Sequence, residues 1–184
     1  YLLKVLPQSV KKIAVLDRTK ENGSNAPLYL DITSFVKENN LDIKVFGGRY
    51  GLSGKDTNPS HIKTVFDYMN NGKIFNNFTI GIIDDVTNLS LKTTKFNIPS
   101  KNYEMLIYGF GSDGMVSASK DIIKITGTGS KAFVQGYYEY DSKKSGGVTR
   151  SHIRISNNII RSRHYVDNPN MLEKWEKTGN SALT

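Results

Sequence analysis

The sequence predicts an α/β chain built as two three-layer α/β/α pieces with parallel or mixed sheets. Three observations lead there. Short apolar runs, Ile13-Ala14-Val15-Leu16, Ile43-Lys44-Val45-Phe46 and Phe78-Thr79-Ile80-Gly81-Ile82-Ile83, have the length and character of buried strands. Stretches with helical spacing lie between them. Further on, the strand-like run Tyr103-Glu104-Met105-Leu106-Ile107-Tyr108 passes through glycines into another helical stretch.

In chain order, Leu2 to Leu6 reads as the tail of a helix stopped near Pro7. The first strand ends in Asp17-Arg18, and polar Thr19 to Ala26 is a loop. Pro27 suits a first helical position, with Leu28, Ile32, Phe35 and Val36 as the apolar face. The second strand ends in Gly47-Gly48-Arg49. Asn58-Pro59 is an N-cap followed by a first-turn proline, and Ile62, Val65, Phe66 and Met69 recur at helical spacing, leaving His61 and Lys63 off that face. The third strand closes at Asp84-Asp85. Strand, helix, strand, helix, strand implies a parallel sheet with right-handed crossovers, its strand ends gathered on one edge.

Polar Thr87 to Asn102, with Pro99, reads as a linker, which divides the chain into residues 1–101 and 102–184. After the glycines, Val116 to Thr126 is a helix with Val116, Ile122 and Ile123 available to a core. Ala132 to Tyr140 is strand-like and aromatic, Gly146-Gly147 turns the chain, and Val148 to Ile155 is the next strand of the same sheet. Met171 to Lys177 reads as a last helix.

Composition narrows the chemistry. A net charge of +8 favours acidic partners such as a nucleotide-type cofactor or an acidic protein. No arginine-rich run or RNA-binding signature argues for nucleic acid. The absence of cysteine excludes disulfides, thiolate metal sites and iron–sulfur ligation by this chain. No apolar run has transmembrane length, and the chain is expected to be cytoplasmic. It opens on Tyr1, which leads us to expect further sequence upstream.

The functional signal is concentrated in Gly109 to Lys120, read together with Asp141 to Gly147. Gly109, Gly111 and Gly114 have the spacing G-x-G-x-x-G between a strand and a helix. Such a turn lets backbone amides approach a phosphate at a helix N-terminus, and Lys120, Lys143 and Lys144 are candidate cations. The plain alternative is a tight turn in which Ser112 or Asp113 caps the helix. A dinucleotide loop would want an acidic residue about 20 positions on; Asp141 comes late, and lysines suit phosphates better than a ribose diol.

These stretches also carry a resemblance. GFGSDGMVSASK (Gly109 to Lys120) and QGYYEYDSKKSGGVTRSHIR (Gln135 to Arg154) resemble the third domain of the pyruvate:ferredoxin (or flavodoxin) oxidoreductases. Upstream, KKIAVLDRTKE, PLYLD, GGRYGLSGK and GIIDDVTNLSL resemble the end of the second, transketolase C-terminal-like domain of the same enzymes. The likeness runs from about Leu2 to about Tyr165, in family order.

The resemblance implies coenzyme A contacts at Gly111, Ser112, Asp113, Gly114, Met115 and Lys143, with no catalytic residue and no metal ligand in the chain. Met115 stands where the family usually has threonine, and Ser117 and Ser119 where glycine and asparagine are usual. The family decarboxylates pyruvate on thiamine diphosphate with magnesium, in anaerobic metabolism. It passes electrons through iron–sulfur clusters to ferredoxin or flavodoxin, and the acyl group goes to coenzyme A. The resemblance therefore implies a piece of such an enzyme, inactive alone, whose partners are the remaining domains of a homodimer. Two other readings stay open: a dinucleotide-binding module, and a non-catalytic copy of these domains in a protein such as a sulfite reductase flavoprotein.

Other candidates have plainer readings. Asp84 and Asp85 are expected to cap a turn and pair with Arg18 or Arg49. His61, His152 and His164 lack metal spacing and read as surface or half-buried residues. Phe133, Tyr137, Tyr138 and Tyr140 read as core packing.

Overall fold

The computed structural model describes residues 1–19, 21–71, 73–83, 86–141, 147–175 and 181–183. The chain divides into two compact units, Tyr1–Ile98 and Pro99–Thr184.

The first unit runs α1 (Leu2–Val5), β1 (Lys12–Asp17), α2 (Pro27–Glu38), β2 (Lys44–Arg49), α3 (Pro59–Asn70) and β3 (Phe78–Thr79). The strands are all parallel, in the order β1-β2-β3. Adjacent strand residues face opposite ways, and Gly47 and Gly48 show what each face meets. A Cβ at Gly47 would lie 3.0 Å from the ring of Tyr29 on α2, and one at Gly48 would lie 2.4 Å from the ring of Phe78. Helix α3 supplies Val65 and Met69 to the cluster with Phe78 and Ile80, against Ala14, Leu16 and Phe46. The unit is thus a sheet with a helix on each face. Strand β2 ends in Gly47, Gly48 and Arg49 as expected, and neither face has room for a side chain at the two glycines.

The apolar face of α2 is the expected one apart from its first turn, with Ile32 and Phe35 half-buried, whereas the face of α3 is rotated. In α2 Val36 is buried while Leu28 is exposed. In α3 the buried positions are Ser60, Thr64, Val65 and Met69, and Phe66 is exposed. The polar pair is buried because its hydroxyls have partners: Ser60 Oγ donates to Phe96 O at 2.9 Å and Thr64 Oγ1 to Ser60 O at 2.8 Å. Asn58 caps α3 as expected. His61 completes a capping box, its amide donating to Asn58 Oδ1 at 3.2 Å and its Nδ1 accepting from Asn58 N at 3.3 Å.

Strand β3 is much shorter than the expected Phe78 to Ile83. Thr79 pairs instead with the returning chain, Leu91 N donating to Thr79 O at 2.9 Å, and Gly81 turns away at φ 73°. Asp84 and Asp85 lie outside the described residues.

The second unit runs β4 (Tyr103–Phe110), α4 (Met115–Gly129), β5 (Phe133–Tyr140), β6 (Val148–Ser156), β7 (Met171–Trp175) and β8 (Ser181–Leu183), in the sheet order β5-β6-β4-β7-β8. The sheet is mixed: β4 is antiparallel to β6 and parallel to β7. The helix expected from Met171 is strand β7, because β4 has a second edge and Met105, Leu106, Ile107 and Tyr108 pair there with Met171 to Lys174. On one face α4 brings Met115, Ile122 and Ile123 onto Met105, Ile107 and Ile153. Ser119 is fully buried, its hydroxyl satisfied by Met115 O at 2.7 Å.

The opposite face is polar and buried. Arg154 is 1% exposed and donates to Glu104 Oε1, Gln135 Oε1, His164 O and Tyr165 O. His152, expected at or near the surface, is 4% exposed: Tyr165 stacks on it at 4.4 Å and Val166 N donates to its Nδ1 at 3.1 Å. The segment 162–166 lies against this face as a strap. The aromatic run does not form a core. Strand β5 ends the described sheet, and Phe133 and Tyr140 are exposed.

Candidate functional site: a glycine turn between β4 and α4

Strand β4 leaves the core at Phe110 and α4 starts at Met115, so four residues make the connection. Ser112 (φ 71°) and Gly114 (φ 86°) are both left-handed, which a glycine adopts freely and a serine at some cost. Asp113 holds the turn between them. Its Oδ2 accepts from Phe110 N at 2.5 Å and its Oδ1 from Met115 N at 2.9 Å. Asp113 N in turn donates to Phe110 O at 3.1 Å. The capping reading of Asp113 is therefore present in the geometry.

The glycines have separate tasks. A Cβ on Gly109 would come within 2.8 Å of Asp113 Oδ2 and 2.7 Å of Met115 Cβ, so Gly109 makes room for the capping carboxylate. Gly114 meets nothing within 4 Å and supplies the left-handed conformation. Gly111 N donates to Gly147 O at 2.8 Å. That bond, with Asp141 N on Val148 O at 3.2 Å, brings the two ends of the DSKKSGG turn beside the glycine turn. The two stretches singled out from the sequence are thus neighbours. Lys143 and Lys144 themselves lie outside the described residues.

The arrangement leaves hydrogen-bonding capacity for an anion. Met115 N is taken by Asp113 and Ala118 N by Gly114 O, whereas the amides of Ser112, Gly114, Val116 and Ser117 have no acceptor among the described residues. Two of these, Val116 and Ser117, are first-turn amides at the positive end of a four-turn helix. Ser112, Asp113 and Gly114 are exposed. The Met115 side chain is partly buried and packs against Met105, Ile107 and Ile153. Lys120, a candidate cation, lies over the ring of Tyr138 at 5.5 Å.

The dinucleotide geometry is not met. In that fold the strand after the helix lies next to the first, and its terminal acid reaches the ribose. Here β6 separates β5 from β4, and Glu139 near the end of β5 receives Arg150 at 2.9 Å. That hydrogen bond is the main cause that raises the Arg150 pKa above its ordinary value.

Elsewhere, the sheet-edge residues do structural work. Asp17 is 8% exposed and accepts from Tyr29 N at 3.1 Å, while Arg18 donates to Gly51 O at 3.3 Å. A groove of about 520 Å³ beside α3, lined by Ala14, Leu16, Ile62 and Phe66, carries no carboxylate, histidine or hydroxyl. Among the described residues no three His, Asp or Glu side chains cluster as a metal site.

Comparison with known proteins decides between the remaining readings. Residues 104–176 match the family model described as pyruvate ferredoxin/flavodoxin oxidoreductase. The chain is 47% identical over 175 residues to the pyruvate:ferredoxin oxidoreductase of Moorella thermoacetica, covering 94% of this chain and 15% of that protein. It is 49% identical over 174 residues to the probable pyruvate-flavodoxin oxidoreductase of Escherichia coli, covering 90% and 15%.

The chain corresponds to a segment of the pyruvate ferredoxin/flavodoxin oxidoreductases.

It spans about 15% of the length of these relatives. A pyruvate-flavodoxin oxidoreductase of Nostoc sp. is similar over 186 residues at 45% identity. The identity reaches across both units, so the oxidoreductase reading covers the parallel sheet of the first as well as the glycine turn of the second. Sequence reasoning missed the buried Arg154–Glu104 pair. The alternation of polar and apolar residues in Val148 to Ile155 was visible, but an arginine on a strand reads as exposed until its partners are placed.

Proposed function

We propose that the chain helps to form the coenzyme A site of a pyruvate:ferredoxin/flavodoxin oxidoreductase. In this reading, residues 1–101 are the end of the enzyme's second domain and residues 102–184 the start of its coenzyme A-binding domain. The observation that carries the proposal is the glycine turn, whose unclaimed amides lie close to Gly147, at the end of the DSKKSGG stretch, in a chain about 45–49% identical to such enzymes. Coenzyme A is rich in phosphate, and these donors suit an anion. Of the residues implied by resemblance, Ser112 and Gly114 offer amides. Gly111 and Asp113 shape the turn. Met115 contributes through its backbone to the capped helix start, and Lys143 is the proposed cation.

The rest of the reaction belongs to the whole enzyme. Thiamine diphosphate with magnesium would supply the decarboxylation chemistry, and iron–sulfur clusters would carry electrons to ferredoxin or flavodoxin. With no cysteine, this chain offers the clusters no thiolate ligand. The chain alone is therefore proposed to be inactive, and the complete enzyme to be a cytoplasmic homodimer. No described helix is long and apolar enough to cross a membrane.

The test is Lys143→Glu in the complete enzyme. A phosphate contact turned repulsive should raise the apparent constant for coenzyme A roughly five- to hundred-fold, with the pyruvate constant nearly unmoved. The loss should shrink at high salt if the lysine is exposed. Unchanged coenzyme A kinetics, or tight NAD(P) binding that this substitution abolishes, would remove the proposal.

A further inference from the structure

A carboxylate is an unexpected occupant of a turn meant for phosphates, since its charge opposes the ligand. Asp113 nevertheless sits with both oxygens inside the turn, one on Phe110 N and one on Met115 N. The turn is built around it: Gly109 lacks the Cβ that would come within 2.8 Å of Oδ2. The two left-handed residues, Ser112 and Gly114, flank it directly. The serine has no glycine-like freedom, so something must hold it at φ 71°. The two bonds from Asp113 tie the end of β4 to the first residue of α4 and close the connection that contains Ser112.

We infer that Asp113 is the positioning residue of this turn: its carboxylate, bound to the amides of Phe110 and Met115, sets the backbone of Ser112 and Gly114 for the ligand without itself contacting it. The inference rests on the coenzyme A reading above. It also divides the helix start. Met115 N serves the turn, and the anion is left the amides of Ser112, Gly114, Val116 and Ser117. The electrostatic cost of a nearby carboxylate is accepted because two charge-assisted hydrogen bonds hold the turn in shape before the ligand arrives.

The experiment compares Asp113→Ala, Asp113→Asn and Gly114→Val in the complete enzyme. It measures coenzyme A affinity by calorimetry, the apparent constant for pyruvate, and amide hydrogen exchange without ligand. Loss of a cap of this kind predicts that Asp113→Ala weakens coenzyme A about three- to thirty-fold, with the pyruvate constant unmoved. In the ligand-free enzyme the amides of Phe110 and Met115 should exchange faster. Asp113→Asn keeps an acceptor for Met115 N and should recover much of the affinity. If Asp113→Ala binds coenzyme A equally well or tighter, or if ligand-free exchange at Phe110 and Met115 does not change, the inference is wrong. If Gly114→Val leaves coenzyme A affinity intact, the coenzyme A reading fails instead, while exchange at those two amides still decides whether Asp113 holds the turn.

Discussion

Arg154 on β6 donates through Nε to Glu104 on β4 at 2.6 Å, with the two side chains 1% and 8% exposed. The residues are direct cross-strand partners in the antiparallel ladder, so the pair is fixed by register as well as by charge. The remaining guanidinium donors go to Gln135 and to the carbonyls of His164 and Tyr165. A buried cation with this many partners organises the face of the sheet opposite α4 and holds the 162–166 strap.

Removing one partner should therefore be costly. Arg154→Ala leaves Glu104 buried without its cation and is expected to destabilise the second unit by about 3–5 kcal/mol. Chemical denaturation should show the loss. Hydrogen exchange should show Val166 N, bound to His152, losing protection with it. The double variant Arg154→Met, Glu104→Leu should lose less than the sum of its single variants, because no unpaired charge remains buried. Simple additivity would mean that the pair contributes no coupling.

Tyr138 gives a prediction in alkali. Its hydroxyl is buried and has no hydrogen-bond partner among the described residues. Burial, with the nearby Tyr140 adding to it, raises its pKa above the ordinary 10.0. The folded state thus prefers the neutral phenol. The stability tied to this preference is present below pH 10 and is lost as pH rises through the raised value. Tyr138→Phe should be neutral or should stabilise by up to about 1 kcal/mol at pH 7, since the lost hydroxyl had no bond to break. Thermal melts of both proteins from pH 7 to 11 should diverge above about pH 10, with the tyrosine form losing more stability than the phenylalanine form.

Gly48→Ala should strain the first unit alone. The new Cβ would sit 2.4 Å from the Phe78 ring and 2.9 Å from Leu16 Cδ2, inside the cluster that joins α3 to the sheet. Overpacking of this kind costs about 1–3 kcal/mol. Phe78→Leu should relieve part of it. A Gly48→Ala protein as stable as the parent would show that the ring moves freely.

Local pattern was enough for much of this chain. Short, mostly apolar runs placed β1, β2 and β4, because strands packed on both faces show little polar alternation. Pro27 and Asn58-Pro59 located the starts of α2 and α3, because capping chemistry is local. The motifs Gly109 to Lys120 and Asp141 to Gly147 carried the oxidoreductase likeness, and both coenzyme A candidates and the capping alternative were visible in their residues.

What needed the tertiary structure were features whose cause lies far along the chain. Met171 to Trp175 is a strand because β4, more than sixty residues earlier, offers an edge to pair with. Ser60 faces inward, and Phe66 outward, because the chain near Phe96 returns to meet the Ser60 hydroxyl, beside which Thr64 is satisfied by Ser60 O. Arg154 is buried because Glu104, Gln135 and the strap converge on it. Asp113 could be read locally as a cap, but only the fold shows that Gly109 clears the space for its carboxylate and that Gly147 is tied to Gly111. Sequence periodicity reports the conformation a segment prefers; which of its faces is buried, and which of its polar groups are satisfied, is decided by the partners that the folded chain brings to it.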